Sequence, residues 1–373
     1  MNKKLFTCLL FSFVAQTFFA QGPTAPEPSK NTRTENLFIV TLDGFRWQEV
    51  FGGSDSTLIY NKEYTRDSAY YVPKFWANTA ETRRKTLLPF LWTTIAKEGQ
   101  IYGNRHFGNN VNVANRMWFS YPGYNEIFTG NPDDKNIHSN DKIPNPNTNV
   151  LEFLNRQKGF EGKVAAFTSW DVFPSIFNEA RSKILVNSAF EDVEGVNTPT
   201  ARLLNYLQHQ QPKHWQDGVR MDFLTWAIMR EYVATNHPRV VYIGLDETDD
   251  YAHDGRYDYY LSAANQTDGW LSDLWNFIRN DPQYRDKTTL LITCDHGRGD
   301  KVKKQWRDHG SKVEDSSEIW FAVIGPDSKP LGEVKQPAQF YQKQFAQTMA
   351  HLLGQHFTCE HEVAPAIDPV LNR

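Results

Sequence analysis

Three apolar runs of the sequence end in an aspartate, and this pattern constrains the fold more than any other feature. The runs are LFIVTLD, which ends at Asp43; VVYIGLD, which is followed by Asp249 and His253; and TLLITCDHG, which contains Asp295 and His296. Unbroken apolar runs are typical of parallel strands that are buried on both faces. Because ligands bind at the carboxyl ends of such strands, the sequence predicts that these side chains form one site.

Strand-like runs and helical patterns alternate along the chain. The strand-like runs lie near residues 37–42, 163–168, 239–245, 288–294 and 318–324. The helical patterns cover residues 88–99, 150–157, 221–235, 261–280 and 344–354. This alternation predicts an α/β fold with a mostly parallel, doubly wound sheet that is covered by helices on both faces.

Two long stretches show no clear periodicity and are predicted to be insertions that form a cap over a pocket. They are residues 52–85 and residues 130–149, and the second stretch is dense in Asn, Asp and Pro. Long irregular segments in a compact domain are usually functional loops. With 373 residues, of which 40% are hydrophobic, the chain is expected to form a single domain over residues 36–373.

The first residues have the composition of an export sequence. Lys3 and Lys4 are followed by the apolar run LFTCLLFSFVAQTFFA and then by a polar stretch. This pattern predicts a signal peptide over residues 1–20, with cleavage after Ala20, and a flexible leader over residues 21–35. The alternative is an anchoring helix, but the run is short for a full span and lacks a stop-transfer flank. We therefore expect a periplasmic or secreted protein without a membrane span in the mature chain.

Net charge and cysteine content place few further limits on the function. The formal net charge of −4 gives no reason to expect binding to duplex nucleic acid. Beyond the predicted signal peptide, the cysteines are Cys294 and Cys359. Either two free thiols or one disulfide bond is compatible with an oxidising compartment. The oligomeric state is open.

Asp249 and His253 are four positions apart. A helical turn after the strand would place both side chains on one face, where they can share a metal ion. The neighbouring Asp246 and Asp250 are expected to lie beside the ligands rather than on the ion. A solvated acidic loop is the alternative for the DETDD stretch, but it does not account for the histidine.

Asp295 and His296 directly follow an apolar run and precede a glycine, and Asp43 repeats this arrangement at the first strand. His309 follows in the segment WRDHGS. Carboxylate and imidazole groups are the ligands of zinc and similar ions. These residues, together with Asp249 and His253, therefore predict a metal centre.

Ser120 precedes a proline by two positions in the segment FSYPGYNEIFTG. Proline favours the first turn of a helix, so Ser120 is expected at a helix start, where backbone amides favour an anion. From this segment alone, an ordinary N-cap serine is the main alternative. Next to a metal centre the same hydroxyl becomes a candidate nucleophile, because metal coordination lowers its pKa.

The ordered set of these residues resembles the alkaline phosphatase superfamily, and its spacing is most similar to the nucleotide pyrophosphatase/phosphodiesterase branch. The nucleophile segment of that branch, T-F-P-N-x-Y-x-x-V-T-G, is similar to SYPGYNEIFTG over residues 120–130. Its D-x-x-x-H motif is matched by Asp249 and His253, and its D-H-G motif by residues 295–297. Its final helix, A-x-x-x-A-x-L-L-G, resembles AQTMAHLLG over residues 346–354.

The resemblance implies two metal sites with three ligands each. The ligands of the first site would be Asp249, His253 and His309, and those of the second Asp43, Asp295 and His296. It also implies that Ser120, which reaches both ions, is the nucleophile and that Asn140 contacts a phosphate oxygen. The branch usually has threonine at the nucleophile position. Zinc suits mixed His and Asp ligands, and manganese is the alternative.

The function implied is that of an exported two-metal hydrolase, which cleaves small phosphoric mono- or diesters through a covalent phospho-serine. A phosphoryl transferase or mutase could use the same residues. A sulfuric ester hydrolase is a further alternative, although Tyr124 stands where sulfatases have an arginine. A non-catalytic binding protein is disfavoured by the full set of ligands. The candidates for further substrate contacts are Arg46, Arg116, Arg256, Arg298, Tyr121 and Tyr124.

Overall fold

The computed structural model describes residues 32–371. The predicted signal peptide and residues 21–31 of the predicted leader lie outside this range. The described end of the leader contacts the domain, because the hydroxyl of the buried Thr34 donates a 2.6 Å hydrogen bond to the Asp327 carboxylate. No helix within residues 32–371 is both long enough and apolar enough to cross a membrane.

Eleven strands lie within residues 32–371. They are β1 (Asn36–Leu42), β2 (Gln100–Tyr102), β3 (Asn109–Asn112), β4 (Val164–Thr168), β5 (Leu185–Ser188), β6 (Val240–Leu245), β7 (Thr288–Thr293), β8 (Glu318–Ile319), β9 (Phe321–Ile324), β10 (Gly332–Glu333) and β11 (Ala338–Tyr341). Eight of these described strands form the main sheet in the order β10-β2-β9-β7-β1-β6-β4-β5, and β11-β3-β8 form a small second sheet.

The centre of the main sheet is parallel. Strand β1 pairs in parallel with both β6 and β7, so that Leu37 lies beside Val240 on one side and Thr289 on the other. All seven residues of β1 are buried, as expected for an apolar strand that is covered on both faces. The carboxyl ends of β7, β1 and β6 are therefore adjacent at one edge of the sheet.

Fourteen α-helices lie within the described range. They are α1 (Trp47–Gly52), α2 (Ser56–Ile59), α3 (Ser68–Phe75), α4 (Ala80–Leu87), α5 (Ala96–Glu98), α6 (Ser120–Thr129), α7 (Val150–Asn155), α8 (Phe173–Ile176), α9 (Glu179–Ser182), α10 (Pro199–Gln210), α11 (Asp222–Asn236), α12 (Glu247–His253), α13 (Tyr257–Asn280) and α14 (Phe345–Leu352). A π-helical turn (Leu91–Ile95) precedes α5, and 3-10 turns cover Arg105–Phe107, Lys303–Arg307, Glu314–Ser317, Gln342–Gln344 and Asp368–Val370.

The predicted fold class, a mostly parallel α/β sheet, is confirmed. Strand β9 departs from the parallel arrangement, because it pairs antiparallel with both β7 and β2. The stretch 52–85 differs from the prediction, since it contains α2, α3 and α4 rather than irregular chain. The stretch 130–149 has neither a helix nor a strand. Cys294 and Cys359 are free thiols.

Candidate metal centre

Backbone hydrogen bonds tie the ends of the three central strands together. The amide of Asp43, directly after β1, donates to the carbonyl of Leu245 at the end of β6 (2.9 Å). The amide of Gly44 donates to Asp295 Oδ1 after β7 (3.0 Å). The hydroxyl of Thr248 in α12 donates to the Asp43 carbonyl (2.6 Å). The polar residues that follow these strands are thereby held at one place.

Asp43, Asp295 and His296 form what we call the inner cluster, and at most 1% of each residue is exposed. His296 Nε2 lies 3.3 Å from Asp43 Oδ1 and 3.4 Å from Asp295 Oδ2. His296 Nδ1 lies 2.9 Å from the carbonyl oxygen of Gly297, which can only accept a hydrogen bond. In the neutral imidazole this contact fixes the proton on Nδ1, so that Nε2 presents its lone pair to the cluster.

The three facing atoms of the inner cluster have no hydrogen-bond partner. Asp43 Oδ1, Asp295 Oδ2 and His296 Nε2 are buried and unpaired, and their mutual distances allow one ion to bind all three. His296 Nε2 lies within ion-pair distance of both carboxylate oxygens, but it is not aligned for a hydrogen bond with either of them. Buried polar atoms are nearly always paired, and an unpaired one costs about 1–3 kcal/mol. Two carboxylates and an imidazole that converge in this way fit a divalent cation.

Asp249, His253 and His309 form what we call the outer cluster. In α12, His253 Nε2 lies 3.1 Å from Asp249 Oδ2, as the spacing of four residues predicts. His309 Nε2 lies 3.0 Å from His253 Nε2 and 3.6 Å from Asp249 Oδ1. Two imidazole nitrogens that face each other beside a carboxylate are also a suitable ligand set for a divalent cation.

The two clusters adjoin. The rings of His296 and His309 stack with centroids 4.0 Å apart, and Asp249, His296 and His309 form a second group whose ligand atoms lie close enough to bind one ion. His296 therefore faces the ligands of both clusters, whereas the sequence assigned it to one. All six predicted metal ligands are brought together at this edge of the sheet.

Arg298 and Gly44 support the outer cluster. The buried guanidinium of Arg298 donates to Asp249 and to the carbonyl of Trp306 (3.0 Å). Gly44 has φ +57°, and a Cβ there would lie 2.7 Å from Arg298 Nη1 and 2.9 Å from Asp249 Oδ1. Only glycine fits this position. The sequence placed Arg298 near a motif but did not identify its contact with Asp249.

Burial and neighbouring charges raise the pKa values of Asp295 and His296 in the inner cluster and lower the pKa of Asp249 in the outer cluster. Burial and the neighbouring Asp43 raise the pKa of Asp295 well above its usual value. Burial by itself would lower the pKa of His296. The negative charges of Asp295 and Asp43 have the larger effect and raise this pKa to about 9. Burial also opposes ionisation of Asp249, yet Arg298 and the histidines hold its pKa well below the usual range. A bound cation would favour ionised carboxylates and neutral imidazoles.

Ser120 is the first residue of α6 and is only 6% exposed. Phe119 occupies the N-cap position, so Ser120 is not the capping residue. Tyr124, one turn later, donates a 2.8 Å hydrogen bond to Asp43 Oδ2. Since residues i and i+4 share a helix face, Ser120 lies on the face that is directed toward the inner cluster. A Cβ at Gly123 would lie 2.5 Å from the Asp295 carbonyl oxygen, so α6 reaches the end of β7 because this residue is glycine.

Asn140 lies beside the start of α6. Its Oδ1 accepts a hydrogen bond from the Tyr121 amide (2.9 Å), which is the residue after Ser120. The Tyr121 hydroxyl donates to the carbonyl of Ile143 (2.6 Å). The irregular stretch 130–149 therefore packs against the first turn of α6 and brings Asn140 close to Ser120.

The other candidates for substrate contacts are mostly engaged. Tyr121 and Tyr124 are buried in the contacts described above. Arg46 pairs with the buried Glu49 and Arg256 pairs with Asp258. Arg116 differs, because 90% of its side chain is exposed.

The sequence did not identify a buried network that precedes Ser120. The carboxylate of Glu126 in α6 is fully buried and accepts hydrogen bonds from the amides of Ala114, Asn115 and Lys343. The Asn115 side chain in turn accepts from the amides of Met117 and Trp118 (both 3.0 Å). Glu126 thus fixes the segment that leads into α6. Nothing in the local sequence separates this glutamate from an exposed helical one.

The fold is similar to several solved structures. Wild-type alkaline phosphatase PafA matches 93% of this chain and 100% of its own, with 11% identity and a TM-score of 0.58. The lipoteichoic acid synthase LtaP from Listeria monocytogenes matches 93% of this chain and 79% of its own, with 12% identity and a TM-score of 0.54. The phosphonate monoester hydrolase SpPMH from Silicibacter pomeroyi matches 91% of this chain and 77% of its own, with 12% identity and a TM-score of 0.51.

No family model and no curated protein sequence matches the chain. The comparison therefore concerns the fold, which is similar to that of alkaline phosphatase PafA and of a phosphonate monoester hydrolase. The resemblance that was inferred from the order of the site residues is confirmed at this level.

Proposed function

We propose that this protein is an exported, metal-dependent hydrolase of phosphoric esters with Ser120 as its nucleophile. One observation carries the proposal: the unpaired atoms of Asp43, Asp295 and His296 converge beside the helix that begins with Ser120. The similar fold of an alkaline phosphatase and a phosphonate monoester hydrolase supports it. The proposal of export rests on the pattern of the first 20 residues.

In this proposal the inner and outer clusters each hold one divalent ion, with zinc favoured by the mixture of carboxylate and imidazole ligands. When bound, such a pair of ions stabilises the attacking and leaving oxygens of an in-line displacement. Tyr124 engages Asp43 Oδ2 and thereby leaves Oδ1 directed at the cluster. Gly297 holds the His296 ring in the orientation that ligation requires.

The Ser120 oxygen attacks phosphorus as its hydroxyl proton passes to water, and the bond from phosphorus to the leaving oxygen breaks as the new bond forms. The leaving oxygen takes up a proton from water and departs as an alcohol. Water then cleaves the bond between phosphorus and Ser120: its oxygen stays on phosphorus and Ser120 takes up one of its protons. The product is phosphate from a monoester, or a phosphate monoester from a diester. Asn140 is proposed to contact a phosphate oxygen, because its Oδ1 is fixed on the Tyr121 amide. Its amide nitrogen has no hydrogen-bond partner among the residues that the structure describes.

The test is an assay of the purified mature protein on aryl phosphate, bis-aryl phosphate, phosphonate and sulfate esters, with and without a chelator. We expect chelation to abolish turnover and zinc to restore it. Ser120→Ala should lose at least about a thousandfold in kcat. The matched control is Ser68→Ala, which changes the first residue of α3.

Each alternative gives a different result in the same assay. Activity that a chelator does not affect would contradict the metal centre. Full activity in Ser120→Ala would contradict the nucleophile assignment alone. Faster turnover of sulfate than of phosphate esters would favour the sulfuric ester alternative. Transfer of the phosphoryl group to an added alcohol in preference to water would favour a transferase.

A further inference from the structure

An aromatic cleft of about 580 Å³ lies beside α12, the helix that carries Asp249 and His253 of the outer cluster. It is formed by the segment after α10, the start of α11, the end of α12 and the start of α13. Its walls include the rings of Trp215, Phe223, Tyr251 and Tyr259. None of these four rings belongs to the inner or the outer cluster.

The rings form a partly exposed row. The Trp215 and Tyr251 centroids are 5.1 Å apart, and those of Tyr251 and Tyr259 are 5.2 Å apart. Phe223 is 49% exposed and Tyr259 is 37% exposed. A second groove of about 420 Å³ shares Phe223, Tyr251 and Tyr259 with the cleft and extends along α3. Exposed aromatic surface in a concave site is typical of binding sites for organic ligands.

The rim of the cleft carries two arginines and one carboxylate. The carboxylate, that of Asp254, accepts a hydrogen bond from Trp215 Nε1 (3.3 Å) and lies 3.1 Å from His214 Nε2. The Arg256 guanidinium lies 3.5 Å from the centroid of the Tyr259 ring, although its charge is balanced by Asp258. Arg66 lines the cleft and is exposed, and its guanidinium has no partner within residues 32–371. The rim therefore offers a free cation beside an aromatic wall, which suits a planar ring that has an anionic substituent.

Helix α12 sets the distance between the cleft and the metal centre. Asp249 and His253 occupy one face of α12, and Tyr251 lies about 200° around the helix from Asp249. Since a helix with its side chains is about 10–12 Å across, a molecule that contacts both sites must extend over that length. Asp254, the residue after His253, lies at the rim of the cleft, so the path passes over the end of α12.

We propose that the cleft binds the organic part of the substrate. The substrate would be a phosphate ester with a planar, anionic ring system about 10 Å from phosphorus. This inference rests on the proposed function and adds the substrate class. It also implies that an ester whose ring is attached directly to the phosphate oxygen does not reach the cleft.

The test uses two esters with the same linker. One is an octyl phosphate whose far end has a naphthalenesulfonate group, and the other is plain octyl phosphate. We expect kcat/KM of the wild type to be about tenfold higher for the first ester, which corresponds to about 1.4 kcal/mol of ring contact. Phe223→Ala and Arg66→Ala should each reduce this preference. Both variants should hydrolyse p-nitrophenyl phosphate like the wild type.

The control is Tyr206→Ala, which removes a 62% exposed ring from α10 outside the cleft and should leave the preference unchanged. Equal kcat/KM for the two esters in the wild type, or an unchanged preference in Phe223→Ala, would overturn the cleft assignment without affecting the proposed function. Fluorescence titration with naphthalenesulfonate-tipped octanol, which has no phosphate, separates the two proposals. Binding that depends on Phe223 without hydrolysis of either ester would support the cleft and contradict the proposed function.

Discussion

Asp43 and Arg46 are three residues apart in the same buried loop, but their charges are compensated in different ways. The Arg46 guanidinium bonds to Glu49 (2.9 Å) and to the Gly299 carbonyl (2.9 Å), and Glu49 also accepts from the Tyr257 hydroxyl (2.9 Å). Asp43 Oδ1 instead faces His296 and makes no hydrogen bond. A buried ionic group that is paired within the chain maintains the structure. A group that is left unpaired beside others of its kind indicates a ligand from outside.

The largest effect is expected from Asp295→Asn. This change preserves the shape of the side chain but removes a negative charge from the inner cluster. We expect the variant to lose one bound ion per chain and about a thousandfold in kcat/KM, since the ion supplies several kcal/mol of transition-state stabilisation. Metal analysis and steady-state kinetics measure both. A variant that retained its ions and its activity would show that the unpaired groups around Asp43 do not bind metal, and that they differ in no functional way from the paired Arg46 and Glu49.

A smaller effect is expected from Gly44→Ala. The new Cβ would displace Arg298 Nη1 and Asp249 Oδ1, which lie 2.7 Å and 2.9 Å from its position. Because these groups orient a metal ligand, we expect about a 10–100-fold loss of metal affinity, to be measured by competition with a chromogenic chelator. Gly269→Ala is the control, since a Cβ at Gly269 meets nothing within 4 Å. Equal metal affinities in Gly44→Ala and Gly269→Ala would show that the close approach of Arg298 and Asp249 to Gly44 does not affect metal binding.

Glu126→Gln tests the segment before Ser120. Ionised Glu126 accepts from the amides of Ala114, Asn115 and Lys343, and an amide side chain cannot replace all of these bonds. We expect about a tenfold loss in kcat with little change in metal content, since a misplaced nucleophile slows the reaction.

The pH profile gives a second measure of the same variant. Burial raises the pKa of Glu126 to about 7, and its carboxylate accepts these bonds best when ionised. The ratio of wild-type to variant kcat should therefore increase as the pH rises through about 7. Asp268→Asn is the control, because Asp268 also accepts backbone amides and has a pKa raised by burial to about 7, but in α13. A flat ratio for Glu126→Gln would show that the network affects stability alone.

The smallest effect on activity is expected from Glu49→Gln. Removing one partner of a buried ion pair typically costs about 3–5 kcal/mol of stability. The fully buried Arg46 would lose the closer of its two carboxylate partners and keep Asp300, 3.5 Å from Nη1. We expect a lower midpoint of denaturation with unchanged metal content and unchanged kcat per folded molecule. Loss of metal in this variant would show that the Arg46–Glu49 pair and the inner cluster are not independent.

The sequence predicted the central strands and the proposed ligands because both depend on local patterns. An apolar run that ends in a carboxylate identifies a buried strand and its carboxyl end, as at Asp43 and Asp295. The antiparallel direction of β9 could not be predicted, since an apolar run is the same in either direction. Helix α4 was missed because its sequence, AETRRKTL, lacks an apolar period. Helix α2 has only four residues, and α3 contains Pro73, which argues against a helix.

The parts of the site that were missed depend on contacts between distant residues. Glu126 bonds to an amide 217 residues away, and no spacing rule predicts such a contact. The need for glycine at position 44 arises from the approach of Arg298 and Asp249. The position of Asn140 depends on the packing of the irregular stretch 130–149 against the first turn of α6.

The most direct test of the metal centre is to count the ions. Purified protein is stripped with a chelator, reloaded with zinc and analysed by mass spectrometry under native conditions. We predict two ions per wild-type chain, one in Asp295→Asn and one in Asp249→Asn, and two in Glu49→Gln. A wild-type chain that bound no zinc, or ligand variants that bound as many ions as the wild type, would contradict the account.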